Sequence, residues 1–192
     1  IGGVHRIAAR MDDRWELVSG ALSSNKERAK LSADELGLVR SYSSFEEMAK
    51  VESSLEDGID AVSIVTPNNV HSAPVIAFLN AGIHVICDKP LAATMEQANQ
   101  ISESVEKAEA RFFLTHNYTA YPLIRQAQKL VKEGALGRIR VVQSEYVQDW
   151  LTNETSNRQA DWRTDPKQSG AGSIGDIGTH AFNLVEFVTG LK

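Results

Sequence analysis

At 192 residues, 42% hydrophobic and 23% charged, the chain has the composition of a globular protein of one or two domains. Lys+Arg 20 against Asp+Glu 25 gives a net charge of −5, and no basic stripe is present, which argues against nucleic acid as a partner. No apolar run approaches a membrane span, so no membrane partner is expected. The single cysteine, Cys87, lies inside an apolar run and cannot form an internal disulfide. It reads as a small buried hydrophobe in a reducing, cytoplasmic compartment.

Along the chain, Trp15–Leu22 is a strand candidate. A helix from about 26 to 36 follows, with Ser24-x-x-Glu27 as its capping box and Gly37 as its stop. An extended piece at Leu38–Tyr42 leads to a second capping box, Ser44-x-x-Glu47, and a helix that turns Phe45, Met48 and Ala49 inward. Ala61–Thr66 and His84–Cys87 are near-continuous apolar strands, the pattern of a parallel sheet covered on both faces. The helix between them ends at Ala81-Gly82. Met95, Ala98, Ile101, Val105 and Ala108 recur at helical spacing before the strand Arg111–Thr115. Such alternation predicts a doubly wound parallel α/β sheet.

The pattern changes after Asn117. Pro122 opens a helix bearing Leu123, Ala127, Leu130 and Val131, which Gly134 ends. Arg138–Trp150 is one long strand candidate, on which Tyr146, Gln148 and Trp150 share a face opposite Val147 and Asp149. Thr152–Gln168 reads as a long polar loop. Gly170, Gly172, Gly175 and Gly178 precede a last helix with Ala181, Leu184, Val185 and Val188 inward. The chain is expected to be incomplete at both ends and not to be a self-sufficient enzyme. Neither a first strand nor a glycine-rich turn precedes Gly2-Gly3, and one long strand cannot close a core.

Cys87-Asp88-Lys89-Pro90 carries the most chemical information. A lone Lys-Pro is usually a surface lysine in a strand-to-helix turn. Here the lysine ends a buried strand, where open α/β sheets hold their ligands. It is accompanied by Thr66-Pro67-Asn68 after the previous strand and by Asp176-x-x-x-His180 downstream. His180 can act as a base near neutral pH. Asp176, one helical turn earlier, shares its face and can hold the imidazole or bind a substrate hydroxyl. Lys89 can stabilise negative charge developing on an alcohol oxygen. The alternative for Asp176 and His180 is a helix N-terminal carboxylate with a solvated neighbour. A metal hydrolase built on this pair lacks a third ligand at a suitable spacing.

Taken together, Gly2…His5, Thr66-Pro67-Asn68-x-x-His71, Asp88-Lys89-Pro90 and Gly175-Asp176-x-Gly178-x-His180 closely resemble the Gfo/Idh/MocA oxidoreductases over essentially the whole chain. The resemblance implies a Rossmann-type NAD(P)-binding domain over residues 1–117. It also implies the start, over 118–192, of a substrate and dimerisation domain with an open, mainly antiparallel sheet that supports a homo-oligomer. The implied reaction is hydride transfer between a nicotinamide cofactor and a secondary alcohol of a sugar, cyclitol or related polyol. A non-catalytic NAD(P)-binding sensor and an NAD-dependent glycoside-cleaving enzyme are the alternatives.

By the same resemblance, Lys89, Asp176 and His180 hold the catalytic positions. Gly2 matches the last glycine of the dinucleotide fingerprint, and Thr66, Pro67 and Asn68 line the cofactor. Asp88 stands where the family usually has glutamate, and Asn117 is placed to reach the nicotinamide ribose. Trp162 and Arg163 lie where the family often contacts cofactor or substrate, with simple packing the alternative for Trp162. His71 belongs to the same cofactor-binding motif, though His71 and His116 each read as structural, capping a helix or closing a strand end. The stretch after the second strand reads Ser23-Ser24-Asn25-Lys26 with Arg28 nearby and offers no acid, so hydroxyls and cations favour NADP. Tyr146, Gln148, Asp149 and Trp150 are the candidate hydroxyl-binding and stacking groups for a sugar or polyol ring.

Overall fold

The structure is a computed structural model that describes residues 2–153, 157–165 and 169–191. Helices and strands alternate through its first part: α1 (Gly2–Arg10), β1 (Ser19–Gly20), α2 (Lys26–Leu36), β2 (Arg40–Ser41), α3 (Phe45–Glu52), β3 (Ala61–Ile64), α4 (Ser72–Asn80), β4 (His84–Cys87), α5 (Met95–Lys107) and β5 (Phe112–Leu114). The chain divides into two units, Ile1–Phe113 and Leu114–Lys192.

In the first unit β1 pairs in parallel with β2, and β3 in parallel with β4. β5 lies on the other side of β4, where the Val85 N–H donates to the Arg111 carbonyl at 2.9 Å. The orders β2–β1 and β3–β4–β5 correspond to the flanks 3-2 and 4-5-6 of the doubly wound order 3-2-1-4-5-6. The core forms around β4, with Val85 and Cys87 fully buried beside Ile64, Val75, Phe78, Leu79, Ile83 and Ile101. These residues come from β3, α4, β4, α5 and the turn just before β4, as expected of a sheet covered by crossover helices.

Local sequence fixes the ends. Gly37 and Gly82 take positive φ (66° and 77°) after α2 and α4. Ser44 caps α3, its Oγ accepting from the Glu47 N–H at 3.2 Å. The Glu47 carboxylate reaches back to Ser43 rather than to Ser44. The cap of α2 is Asn25, not Ser24, because the Asn25 side chain accepts the Arg28 N–H at 2.9 Å. Asn is as good a cap as Ser, and one residue nearer.

Several strand boundaries are shorter than the apolar pattern predicts. Of Trp15–Leu22 only Ser19–Gly20 pairs. Val18 and Gly20 carbonyls take the Arg40 and Tyr42 N–H groups, and Trp15 and Leu17 stay exposed. Ala61–Thr66 contracts to Ala61–Ile64, and Arg111–Thr115 to Phe112–Leu114. Met95 and Leu123 open their helices and are exposed rather than inward, since a first-turn side chain has little of its own helix to pack beneath.

The second unit is helical among its described residues beyond Leu114. It contains a 3₁₀ turn Asn117–Ala120, α6 (Pro122–Lys132), α7 (Arg158–Thr164), a π-helical turn Ile174–Gly178 and α8 (Thr179–Thr189). Pro122 stands at the start of α6, and Gly134 follows it at φ 74°. α6 packs on α8, and Gln128 Nε2 donates to the Phe187 carbonyl at 2.7 Å. The long strand expected over 138–150 is not a paired strand. No described segment of the unit offers it a ladder, and an open antiparallel sheet is not formed among the described residues. The loop expected over 152–168 holds α7, which Asn157 caps through the Ala160 N–H at 3.0 Å.

Candidate active site

The parallel register of β3 and β4 aligns Ile64 with Cys87, so the turns after both strands leave the same edge. That edge is where open α/β sheets bind ligands. Thr66 and Pro67 are exposed there, and Asn68, 4% exposed, opens a 3₁₀ turn. Asp88 is buried, its N–H bonded to the Ile64 carbonyl and its Oδ1 accepting the Lys89 N–H, both at 2.9 Å. Lys89 is half-buried, and the Lys89–Pro90 peptide is cis. His71 directs both ring nitrogens at backbone carbonyls, those of Pro90 and Thr66. It closes the strand ends and makes no side-chain cap on α4.

After β1, Ser23 Oγ accepts the Asn25 N–H at 3.2 Å, while Ser24 and Arg28 are exposed at the start of α2. Gly2 lies in the first turn of α1, and a Cβ there would meet Arg6 Nη1 at 3.2 Å and Val65 Cγ2 at 3.5 Å. The helix start lies beside Val65 at the end of β3, within ordinary contact distance of a Cβ at Gly2. A helix N-terminus beside strand ends bearing hydroxyls, an amide and cations fits a dinucleotide. Cys87, next to this edge, has its thiol pushed up to about 12 by burial and by the Asp88 charge.

The second unit assembles a separate constellation. His180 is 6% exposed and lies against three aromatic rings. Tyr118 is tilted on it at 4.5 Å between centroids, His116 meets it edge-on at 5.6 Å, and Tyr146 lies at 6.2 Å. The Tyr118 and Tyr146 hydroxyls are 2.6 Å apart. That hydrogen bond, with burial and the charges of Tyr146 and Tyr121, raises the Tyr118 hydroxyl to about 12. The run continues through Gln148 Nε2 to Tyr146 Oη at 3.5 Å and Trp150 Nε1 to Gln148 Oε1 at 3.2 Å. The Arg163 guanidinium stands 5.9 Å over the Trp150 ring and donates from Nε to Asp176 Oδ2 at 2.9 Å.

The structure thus brings Tyr146, Gln148, Trp150, Arg163 and Asp176 into one polar run and sets Tyr146 against His180. Asp149 is exposed, and Asn117 is exposed at the start of its 3₁₀ turn. The Trp162 side chain lies outside the described residues. Tyr118 is the member that sequence reasoning missed, and its signal was position, next to Asn117 just after β5. His116, read from the sequence as structural, packs its ring on His180. Asp176 sits in the π-helical turn, where the widened backbone gives it to Arg163, a partner far from it in sequence.

Comparison with known proteins agrees with this division. Residues 1–116 match the family described as an oxidoreductase family with an NAD-binding Rossmann fold, and residues 124–192 match the GFO/IDH/MocA C-terminal domain. An oxidoreductase from Sinorhizobium meliloti is 52% identical, with a TM-score of 0.88 over 100% of this chain and 50% of its own. An inositol dehydrogenase homologue from Azotobacter vinelandii, complexed with NADH and myo-inositol, is 33% identical, with a TM-score of 0.87 over 98% of this chain and 48% of its own. The D-xylose 1-dehydrogenase (NADP(+)) 2 of Haloferax volcanii is 31% identical, covering 90% of this chain and 50% of its own. The chain spans about half the length of these relatives.

Proposed function

From a chain that belongs to the Gfo/Idh/MocA family of oxidoreductases, we propose a part in an NAD(P)-dependent dehydrogenase acting on a secondary alcohol of a sugar, cyclitol or related polyol. The observation that carries the reading is His180, buried in an aromatic nest that adjoins the polar run ending at Asp176. Similarity to an inositol dehydrogenase homologue holding NADH and myo-inositol and to a xylose dehydrogenase supports the substrate class.

The nicotinamide supplies the hydride acceptor, and the protein must manage the proton and the charge. His180 takes the hydroxyl proton. Lys89 donates to an alcohol oxygen of the substrate and stabilises negative charge developing there. Asp176, fixed by Arg163, binds a neighbouring hydroxyl and holds the substrate for His180. Tyr146, Gln148 and Trp150 offer a hydroxyl, an amide and a stacking face to the ring. Gly2, Thr66, Pro67, Asn68 and Asp88 form the cofactor edge in residues 1–117, with Asn117 at its limit, and residues 118–192 begin the substrate domain.

Ser23, Ser24 and Arg28 support NADP over NAD, because hydroxyls and a guanidinium suit a 2′-phosphate and no acid stands at positions 23–26. The unpaired valines Val141 and Val147, 84% and 85% exposed, support a homo-oligomer that covers them. Among the described residues no helix is long and apolar enough to cross a membrane. The single buried thiol supports a cytoplasmic location. The test is reduced-nicotinamide absorbance with the intact enzyme, each cofactor and a panel of sugars and inositols. Turnover with one polyol class is the expected result, and cofactor binding without turnover on any of them would make the protein a sensor.

A further inference from the structure

His71 stands at the head of α4 with 1% of its surface exposed. Its Nδ1 lies 2.9 Å from the Pro90 carbonyl oxygen and its Nε2 lies 2.9 Å from the Thr66 carbonyl oxygen. Both partners are acceptors only. A neutral imidazole carries one N–H, so it would satisfy one carbonyl and set a lone pair against the other. The doubly protonated ring satisfies both, with charge-assisted bonds. The two carbonyls belong to different strand-end turns. Thr66 heads the Thr66-Pro67-Asn68 turn after β3, and Pro90 adjoins Lys89 after β4.

We infer that His71 is a positioning residue, a buried imidazolium that clamps these two turns and so fixes where Lys89 stands relative to Thr66-Pro67-Asn68. The ionisable side chains on the clamped turn are Asp88, buried, and Lys89, half-buried. α5, packed on α4, presents uncharged groups here: Gln97 Nε2 donates to the Asn69 carbonyl and Gln100 Oε1 accepts from Ser72 Oγ. The end of β3 adds only Val65 and Thr66. Burying a charge is costly unless it is hydrogen-bonded, and both of its N–H groups are. The clamp's bearing on turnover rests on the dehydrogenase reading above, whereas the proton count on the ring does not.

The test begins with the intact enzyme labelled with ¹⁵N-histidine, examined by NMR near neutral pH, the His71 signals being identified by their loss in His71→Gln. Protons on both ring nitrogens are expected, and a single N–H would overturn the imidazolium. In parallel, His71→Ala, which removes both bonds, should lower kcat by at least about tenfold, the worth of a single charge-assisted bond, in protein that circular dichroism shows to be folded. Added imidazole should restore part of that loss. Unchanged kcat, or a loss that imidazole leaves untouched, would overturn the positioning role. Should His71→Ala not fold, His71→Gln, which keeps a donor for one carbonyl, carries the kinetic comparison. If the wild-type enzyme turns over no polyol, the dehydrogenase reading fails while the proton count still decides the clamp.

Discussion

Arg163 Nε donates to Asp176 Oδ2 at 2.9 Å, and both side chains are more than four-fifths buried. The pair ties α7 to the π-helical turn, and Trp150 backs the guanidinium from the other side. Arg163→Gln should therefore lower kcat by roughly 10–100-fold, the worth of a hydrogen bond to a charged group. Arg163→Lys should recover little, since an ammonium does not reproduce the Nε geometry. Steady-state kinetics and a cofactor titration check this. A rise in cofactor Kd with kcat retained would instead assign Arg163 to the cofactor.

Lys89→Ala should reduce turnover by ~10²–10³-fold, as removal of one oxyanion-type donor does, with affinity for the reduced cofactor nearly intact. Fluorescence titration of the bound nicotinamide separates the two effects. Turnover within a few-fold of wild type would remove Lys89 from the mechanism.

His180→Asn should lower kcat and erase the acidic limb of the pH–rate profile from what activity remains. Asn keeps a polar group among the His116, Tyr118 and Tyr146 rings but cannot take a proton. A profile unchanged in shape would mean that another group is the base.

How far the sequence carried these conclusions varied with the physics of each element. Core strands were legible because burial on both faces leaves an apolar run, as at Val85–Cys87 within β4. Helix ends were legible where a glycine or a cap is obligatory, as at Gly37, Gly82 and Ser44. Where two residues cap equally well the choice slipped by one, to Asn25. The segment 138–150 has the alternation of a strand, but pairing is a property of a partner, and alternation says nothing of one. Of the site, single motif residues were readable, while the Tyr118–Tyr146 hydroxyl pair and the Arg163–Asp176 contact join positions 28 and 13 residues apart. No local pattern encodes those separations.

Stability offers two further tests. A Cβ at Gly58 would overlap the Glu52 carbonyl oxygen and stand 3.2 Å from the Leu55 oxygen. Backbone atoms cannot rotate aside, so Gly58→Ala should destabilise by about 1–3 kcal/mol, the usual range for overpacking. The urea midpoint measures it, and an unshifted midpoint would show that the turn before β3 relaxes freely.

Glu52, 1% exposed, accepts from Arg40, Tyr42 and the Ile59 N–H. Burial opposes its ionisation, but the hydrogen bonds of Arg40, Tyr42 and Ser19 and the Arg40 charge outweigh burial and hold the carboxyl below the usual range. A depressed folded value means that the stabilisation is complete above the unfolded value of about 4.3. It is lost as pH falls through the folded value. Glu52→Gln should be less stable than wild type at neutral pH, and the difference should shrink on acidification through that window. Parallel urea titrations across acidic pH check it, and a constant difference would mean that Glu52 acts through its shape alone.

The burial of Cys87 has a practical side. With its thiol near 12, on the order of one molecule in 10⁵ carries a thiolate at neutral pH, and only the thiolate reacts. These 192 residues hold no other cysteine. A cysteine introduced at an exposed position, Ser24 beside the proposed 2′-phosphate site or Asp149 beside the aromatic run, would therefore be the one reactive thiol among these 192 residues toward a maleimide dye. Labels at each would follow the two units separately by fluorescence, with Cys87 left in place.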